Sequence, residues 1–218
     1  MKLRTIFTSA AAAVAVALAS TGAIAEGHNK KGAKPVGIVK GVMEVAGISR
    51  NQDNNATIDP AFAKTSRPCP PFCIQPTEPF LPAAVDTVTE LDMIHAARDR
   101  ANGDSNIVLV DARTPGWVKK GTIPGSVNVP FTKVNSKALA KDPMSVVDIM
   151  TKDFGVKDMD GVLNYDSAKT LYLFCNGSWC GQSPASIRAL LSMGYPQDKI
   201  KYYRGGMNAW KSLGLTAK

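Results

Sequence analysis

The chain has 218 residues, a formal net charge of +8 and four cysteines. Its length suffices for one ordinary domain plus an extension, and its positive charge favours small anions and acidic surfaces as partners. Because lysine and arginine are scattered along the chain rather than grouped in a stripe, the composition argues against a nucleic-acid-binding protein.

Residues 1–25 have the pattern of a secretory signal peptide. Lys2 and Arg4 precede an Ala-rich apolar run, and the small residues Ala23 and Ala25 provide a cleavage site. We therefore predict cleavage after Ala25, a periplasmic or secreted location, and no membrane span after cleavage. All four cysteines follow this site, and an exported protein is allowed to form disulfides.

Residues 26–85 are expected to form an irregular N-terminal extension. Valine and isoleucine mixed with glycine at 35–48 predict one or two short strands, and the polar stretch 49–59 predicts a loop. Residues 65–82 contain six prolines, which excludes a helix and disfavours a central strand. We predict that this Pro-rich segment is laid over the surface of the domain that follows.

The Pro-rich segment carries Cys69 and Cys73, whose state the sequence leaves open. In an extended chain their Cα atoms would lie about 12 Å apart, whereas a disulfide requires less than about 7 Å. A bridge between them therefore requires a turn at Pro71 and Phe72. A bridged pair would be a structural clip. Otherwise both cysteines are free or one is bonded elsewhere, and the segment could supply a relay thiol to the loop that carries the other two cysteines.

Residues 86–218 alternate predicted strands and helices, which is typical of a parallel sheet covered by helices on both faces. Short apolar runs predict strands, and capped or amphipathic stretches predict helices. The predicted strands are 107–110, 127–129, 171–174 and 200–203. The predicted helices are 89–101, one or two within 136–152, 183–194, and 208–213.

A loop with two cysteines joins the predicted strand 171–174 to the next helix. Ligands of parallel sheets bind at the carboxyl ends of strands, and a helix N-terminus offers free N–H groups to an anion. Ser183 is the predicted N-cap of this helix, and the two loop glycines let the backbone turn inward. We predict an anion-binding loop formed by Asn176, Gly177, Ser178, Trp179, Gly181, Gln182 and Ser183.

Cys175 begins this loop and is a candidate nucleophile. The free N–H groups of the anion-binding loop should lower the pKa of the Cys175 thiol. They would equally stabilise a persulfide anion or a bound thiosulfate. Two other interpretations remain open from the residues alone. Cys175 could be a small buried residue at a strand end, or half of a structural disulfide with Cys180.

Four segments resemble the rhodanese family of sulfurtransferases, in family order, over about residues 86–214. They are the Cys175 loop, Asp111-Ala112-Arg113, the run GTIPGSVNVP at 121–130, and YRGG at 203–206 with Trp210. The resemblance implies a rhodanese-like parallel sheet. It also implies that Cys175 takes sulfane sulfur from a donor such as thiosulfate and passes it to a thiol or cyanide-like acceptor. Asp111 and Arg113 would brace the loop and the domain through hydrogen bonds.

The loop departs from the family pattern in two ways that concern the anion. Gln182 stands where the family has an arginine, and the loop is two residues longer. An arginine would bind a sulfonate through two hydrogen bonds, whereas a neutral glutamine binds it more weakly. The candidates to replace that charge are Arg113, Arg188 and Arg204.

Cys180 is a third departure, and we regard it as a second catalytic candidate. It could resolve a Cys175 persulfide or sulfenate by forming a disulfide, protect Cys175, or form a permanent structural bridge. Three functions follow: sulfur transfer through Cys175, a thiol–disulfide cycle with a redox partner protein, and a catalytically silent binding module. No cofactor motif stands out, and the cysteine spacings are loose for a metal site, so we expect neither.

Overall fold

The computed structural model describes residues 36–53, 55–63 and 67–218. The predicted signal peptide lies outside these residues, so its cleavage remains a prediction. None of the described helices is both long enough and apolar enough to cross a bilayer.

The described chain contains a five-stranded parallel sheet in the order β3-β9-β8-β4-β5 and two small antiparallel hairpins, β1-β2 and β6-β7. The strands are β1 Glu44–Val45, β2 Ile48–Ser49, β3 Asp86–Val88, β4 Ile107–Asp111, β5 Val127–Asn128, β6 Lys157–Met159, β7 Val162–Asn164, β8 Thr170–Phe174 and β9 Ile200–Tyr203. The α-helices are α1 Glu90–Ala101, α2 Pro115–Val118, α3 Ser136–Lys141, α4 Pro143–Asp153, α5 Gln182–Ser192 and α6 Gly206–Ser212.

The two faces of the sheet bury separate apolar clusters, because successive strand residues point to opposite faces. Leu171 and Leu173 of β8 face a cluster formed with α4 and α5. Phe174 of the same strand faces a second cluster that includes Met93 from α1 and Trp210 from α6. The predicted parallel α/β fold with helices on both faces is therefore confirmed, and β8 occupies its centre.

Most predicted elements are present, and the differences have local causes. Strand β3 and the β6-β7 hairpin are present although the sequence did not predict them, because they are short and carry polar, exposed residues rather than an apolar run. Helix α1 is present as predicted and begins with a capping box, since the Thr89 backbone N–H donates to Asp92 Oδ2 at 2.7 Å.

The N-terminal extension packs on both faces of the domain. Ile48 and Phe62 join the α1–α6 cluster, whereas Phe80 and Val85 join the α4–α5 cluster. Backbone hydrogen bonds also tie the extension to the C-terminus, for example from Thr216 N to Ser49 O at 2.9 Å. The extension therefore forms part of the folded core.

Candidate active site

The reactive loop begins where the central strand β8 ends. Its first two carbonyls are fixed by α6, since Met207 N donates to Cys175 O at 2.9 Å and Asn208 N donates to Asn176 O at 2.8 Å. Gly206 makes this approach possible: it has a φ of +54°, and a Cβ there would clash with Cys175 O. The GG pair that the sequence singled out thus allows the last helix to contact the loop.

Cys175 lies at the centre of a set of hydrogen-bond donors, and only 2% of its surface is exposed. Ser183 Oγ donates to its Sγ at 3.1 Å. Burial raises the pKa of Cys175, but hydrogen bonds from the Cys180 thiol, the Ser183 hydroxyl and the backbone N–H groups of Ser183 and Gly177 outweigh it and lower the pKa to about 7. About half of the thiol is therefore ionised at neutral pH, as a nucleophile requires.

Cys180 is turned back toward Cys175 by the loop backbone. Its own N–H donates to Gly177 O at 2.8 Å, and its carbonyl oxygen lies 3.3 Å from Cys175 Sγ. Both cysteines are free and buried, so the structure contains no Cys175–Cys180 bridge. The hydrogen bond to Cys175, and burial after it, raise the pKa of Cys180, because the ionised partner holds its proton in place.

The predicted role of Ser183 as the N-cap of α5 is wrong. The N-cap lies two residues earlier, at Gly181, and Gln182 is the first residue of the helix. The Ser183 hydroxyl instead donates to Cys175. A side chain that sequence patterns assign to local capping is used here for a contact eight residues away.

Two side-chain oxygen atoms of the loop lack a hydrogen-bond partner within the described part of the chain. Asn176 Oδ1 and Gln182 Oε1 are buried and accept no hydrogen bond from any described residue. Tyr202 from the neighbouring strand β9, which the sequence did not single out, has a buried hydroxyl in the same situation. Burial first, and then the negative charges of Cys175 and Cys180, raise the pKa of Tyr202. Unused polar groups of this kind are typical of binding sites.

The Pro-rich segment covers the outside of the loop, as predicted, and we call its described part, residues 67–82, the strap. Gln75 N donates to Ser178 O at 2.8 Å. The rings of Phe72 and Trp179 meet edge to face with centroids 5.8 Å apart. The Arg67 guanidinium lies 3.8 Å from the Trp179 ring, a contact that the sequence did not reveal.

Cys69 and Cys73 are joined within the strap by a disulfide, with Cα atoms 4.6 Å apart. The turn that such a bridge requires is present, since Phe72 N donates to Pro68 O at 3.0 Å. Neither sulfur is therefore a free thiol in the structure, which favours the clip over the relay.

The three arginines considered as replacements for the missing loop charge all have other partners. Arg204 donates from Nε and Nη2 to Gln75 O at 3.0 and 2.8 Å, and Arg188 donates to Pro79 O at 3.2 Å. Both side chains therefore attach the strap to the domain. Arg113 is fully buried in an ion pair. None of the three donates a hydrogen bond to Cys175. The donors that surround Cys175 are therefore uncharged backbone N–H, hydroxyl and thiol groups.

Asp111 and Arg113 form a buried brace beside the loop. Arg113 Nη2 lies 2.6 Å from Asp111 Oδ2, and it also donates to Gly121 O at 2.8 Å. Thr122 Oγ1 donates to the same carboxylate at 2.6 Å. The brace reaches the loop only through the backbone, where Ala112 N donates to the carbonyl before Cys175 at 3.0 Å. Its contribution is to fix the strand end.

The described conformation leaves little access to the reactive sulfur. Cys175, Cys180 and Ser183 are each at most 4% exposed, with the strap outside them. Movement of the loop or the strap would widen the access of a donor anion to Cys175 Sγ.

A parallel α/β domain with a cysteine loop at the carboxyl end of its central strand has the architecture of a rhodanese-like domain. Residues 94–213 match the family model for the rhodanese-like domain, and the chain therefore belongs to this family.

Similar proteins include a thiosulfate:glutathione sulfurtransferase from Saccharomyces cerevisiae, which is 32% identical over 111 residues, 51% of this chain and 69% of the relative. Among solved structures, an uncharacterized Saccharomyces cerevisiae protein is 29% identical, with coverage of 58% of this chain and 91% of that one, and a TM-score of 0.39. A Rhodanese_3-like domain from Anabaena is 18% identical, with coverage of 51% and 98%, and a TM-score of 0.35.

Proposed function

We propose that this protein transfers sulfane sulfur from a thiosulfate-like anion to a thiophilic acceptor through a persulfide on Cys175. The observation that carries the proposal is the set of donors around Cys175 Sγ, which lowers its pKa to about 7 despite complete burial. The name of the yeast relative includes both a thiosulfate donor and a thiol acceptor, which supports the same class of reaction.

The reaction follows from the donors in the loop. The Cys175 thiolate attacks the outer sulfur of the donor, and sulfite leaves with the bonding electron pair. The N–H groups of Gly177 and Ser183 and the Ser183 hydroxyl then stabilise the persulfide as they stabilise the thiolate. An acceptor thiolate or cyanide removes the outer sulfur and restores Cys175. The residues require no cofactor for these steps.

The neutral Gln182 modifies the donor side of this reaction. Its amide replaces a charged donor, so the sulfonate end of thiosulfate would be bound less tightly. We expect a high KM for thiosulfate rather than a loss of the chemical step, because the groups that stabilise Cys175 do not include Gln182 as a side-chain donor.

A second candidate function is thiol–disulfide exchange with a redox partner protein. It is favoured by the contact between the two residues, in which Cys175 Sγ lies 3.3 Å from the Cys180 carbonyl oxygen while both cysteines are unbridged. In this alternative the two thiols would reduce a partner disulfide and become joined themselves.

A steady-state assay separates the two candidates. Thiosulfate and glutathione are supplied, and sulfite release is followed in the wild-type protein, Cys175→Ser and Cys180→Ser. Sulfur transfer predicts sulfite release that is abolished in Cys175→Ser. An absence of sulfite from the wild-type protein, together with reduction of a disulfide substrate that requires both cysteines, would favour the redox function instead.

We also propose that the protein is exported after removal of residues 1–25. The measurement is the N-terminal residue of the protein recovered from the periplasm or medium, expected to be Glu26. Recovery of the chain with Met1 in the cytoplasm would contradict it.

A further inference from the structure

The position of Cys180 goes beyond what sulfur loading requires. We propose that Cys180 is the internal acceptor of the Cys175 persulfide, so that the protein releases the sulfane sulfur as hydrogen sulfide and forms a Cys175–Cys180 disulfide. This inference rests on the proposed function, because it begins from the loaded Cys175.

Cys180 lies close to the sulfur that it would attack. Cys175 Sγ lies 3.3 Å from the carbonyl oxygen of Cys180, and the turn closed by Cys180 N and Gly177 O holds the two residues together. Both cysteines are unbridged, so Cys180 is available for reaction rather than used as a permanent staple. A thiol held against its target reacts far faster than one that must diffuse to it.

Both loop cysteines are shielded from solvent. Cys175 is 2% exposed and Cys180 4% exposed, and the strap covers the loop from outside through Gln75, Phe72 and Arg67. An external acceptor has to wait for this cover to open. Cys180 already lies beneath the strap, so it is the first thiol that can react with the persulfide.

The step balances without an added oxidant. The Cys180 sulfur attacks Cys175 Sγ, the bond between Sγ and the sulfane sulfur breaks, and the bond between the two cysteines forms. The sulfane sulfur leaves as HS⁻, and it carries the proton of the Cys180 thiol. The two cysteine sulfurs lose the two electrons that the sulfane sulfur gains. An external dithiol then reduces the disulfide, so the complete cycle converts thiosulfate and a dithiol into sulfite, sulfide and a disulfide.

The test is a single turnover under anaerobic conditions. Reduced, desalted full-length protein is mixed with thiosulfate and no other thiol, and both released sulfide and intact mass are measured at completion. We expect one sulfide per chain, a mass lower by two hydrogens, and a Cys175–Cys180 bond in the peptide map.

Two matched variants make the result specific. Cys180→Ser should keep the added sulfur atom on Cys175 and release at least about tenfold less sulfide until glutathione is added. A Cys69→Ser/Cys73→Ser double variant should give the same sulfide yield and the same loss of two hydrogens at completion, which assigns the lost hydrogens to the loop.

Two results overturn the inference, and they differ from each other. If wild-type protein retains a stable persulfide and releases no sulfide, Cys180 is not the acceptor, although sulfur transfer stands. If neither the wild-type protein nor Cys180→Ser gains sulfur or releases sulfite, both the inference and the proposed function fail.

Discussion

The Ser183 hydroxyl provides a direct way to weaken the activation of Cys175. In Ser183→Ala the donor 3.1 Å from Cys175 Sγ is lost, while the strand and the other donors remain. Hydrogen bonds to charged groups contribute about 1.5–3 kcal/mol, and about 1.4 kcal/mol changes an ionisation constant tenfold. We therefore expect the pKa of Cys175 to rise by about 1–2, which reduces its thiolate fraction at pH 7 by about five- to fiftyfold.

The assay is the rate of iodoacetamide alkylation of Cys175 as a function of pH, followed by peptide mass. Burial slows the reaction equally at every pH, so each profile is normalised to its plateau. The wild-type midpoint should lie near pH 7, because burial raises the pKa but the hydrogen bonds lower it further. Ser183→Ala should shift the midpoint upward, and the rates should converge at high pH.

Ser186→Ala is the matched control for this prediction. Ser186 is a buried serine one turn further along α5, and its hydroxyl contacts Gln182 O rather than Cys175. Its profile should match that of the wild-type protein. An unchanged midpoint in Ser183→Ala, or an equal shift in Ser186→Ala, would show that this hydrogen bond does not activate Cys175.

Three further predictions concern the strap, the buried Asp111–Arg113 pair and the binding of thiosulfate. Replacing Cys69 and Cys73 by serine should raise the plateau alkylation rate of Cys175 several-fold, because an uncrosslinked strap opens more often. Arg113→Ala should lower the free energy of unfolding in urea by about 3–5 kcal/mol, because it leaves a buried carboxylate unpaired. Gln182→Arg should lower the KM for thiosulfate about three- to tenfold by adding a charged donor.

Each of these has a distinct contradicting result. An unchanged plateau rate without the Cys69–Cys73 bridge would mean that the strap does not control access. A loss of stability below about 1 kcal/mol in Arg113→Ala would mean that the buried pair is replaceable. An unchanged KM in Gln182→Arg would mean that the sulfonate lies elsewhere in the site.

The fold was largely predictable because its central strands are short apolar runs between clear breaks. The run before Cys175 and the run before Asp111 are typical of buried strands of a covered sheet, and both form such strands. Strand β3 and the β6-β7 hairpin lack such runs. They form because tertiary pairing, such as that of β3 with β9, overrides weak local preference.

The candidate site was predictable in position but not in its contacts. The loop glycines and the strand–helix junction indicated where Cys175 lies. The hydrogen bond from Ser183 to Cys175 and the partners of Arg188 and Arg204 depend on how distant segments pack together. The spacing of residues along the sequence does not reveal such contacts. The strap was expected to lie on the domain, yet only the structure reveals that Gln75 and Phe72 contact the reactive loop itself.

The central claim, sulfur transfer through Cys175, is tested most directly by intact mass. Reduced and desalted Cys180→Ser protein is exposed to thiosulfate, beside a Cys175→Ser/Cys180→Ser double variant, and then treated with cyanide. The account predicts the gain of one sulfur atom that cyanide removes as thiocyanate, and no gain in the double variant. A protein that gains no sulfur, or gains it equally without Cys175, would contradict the account.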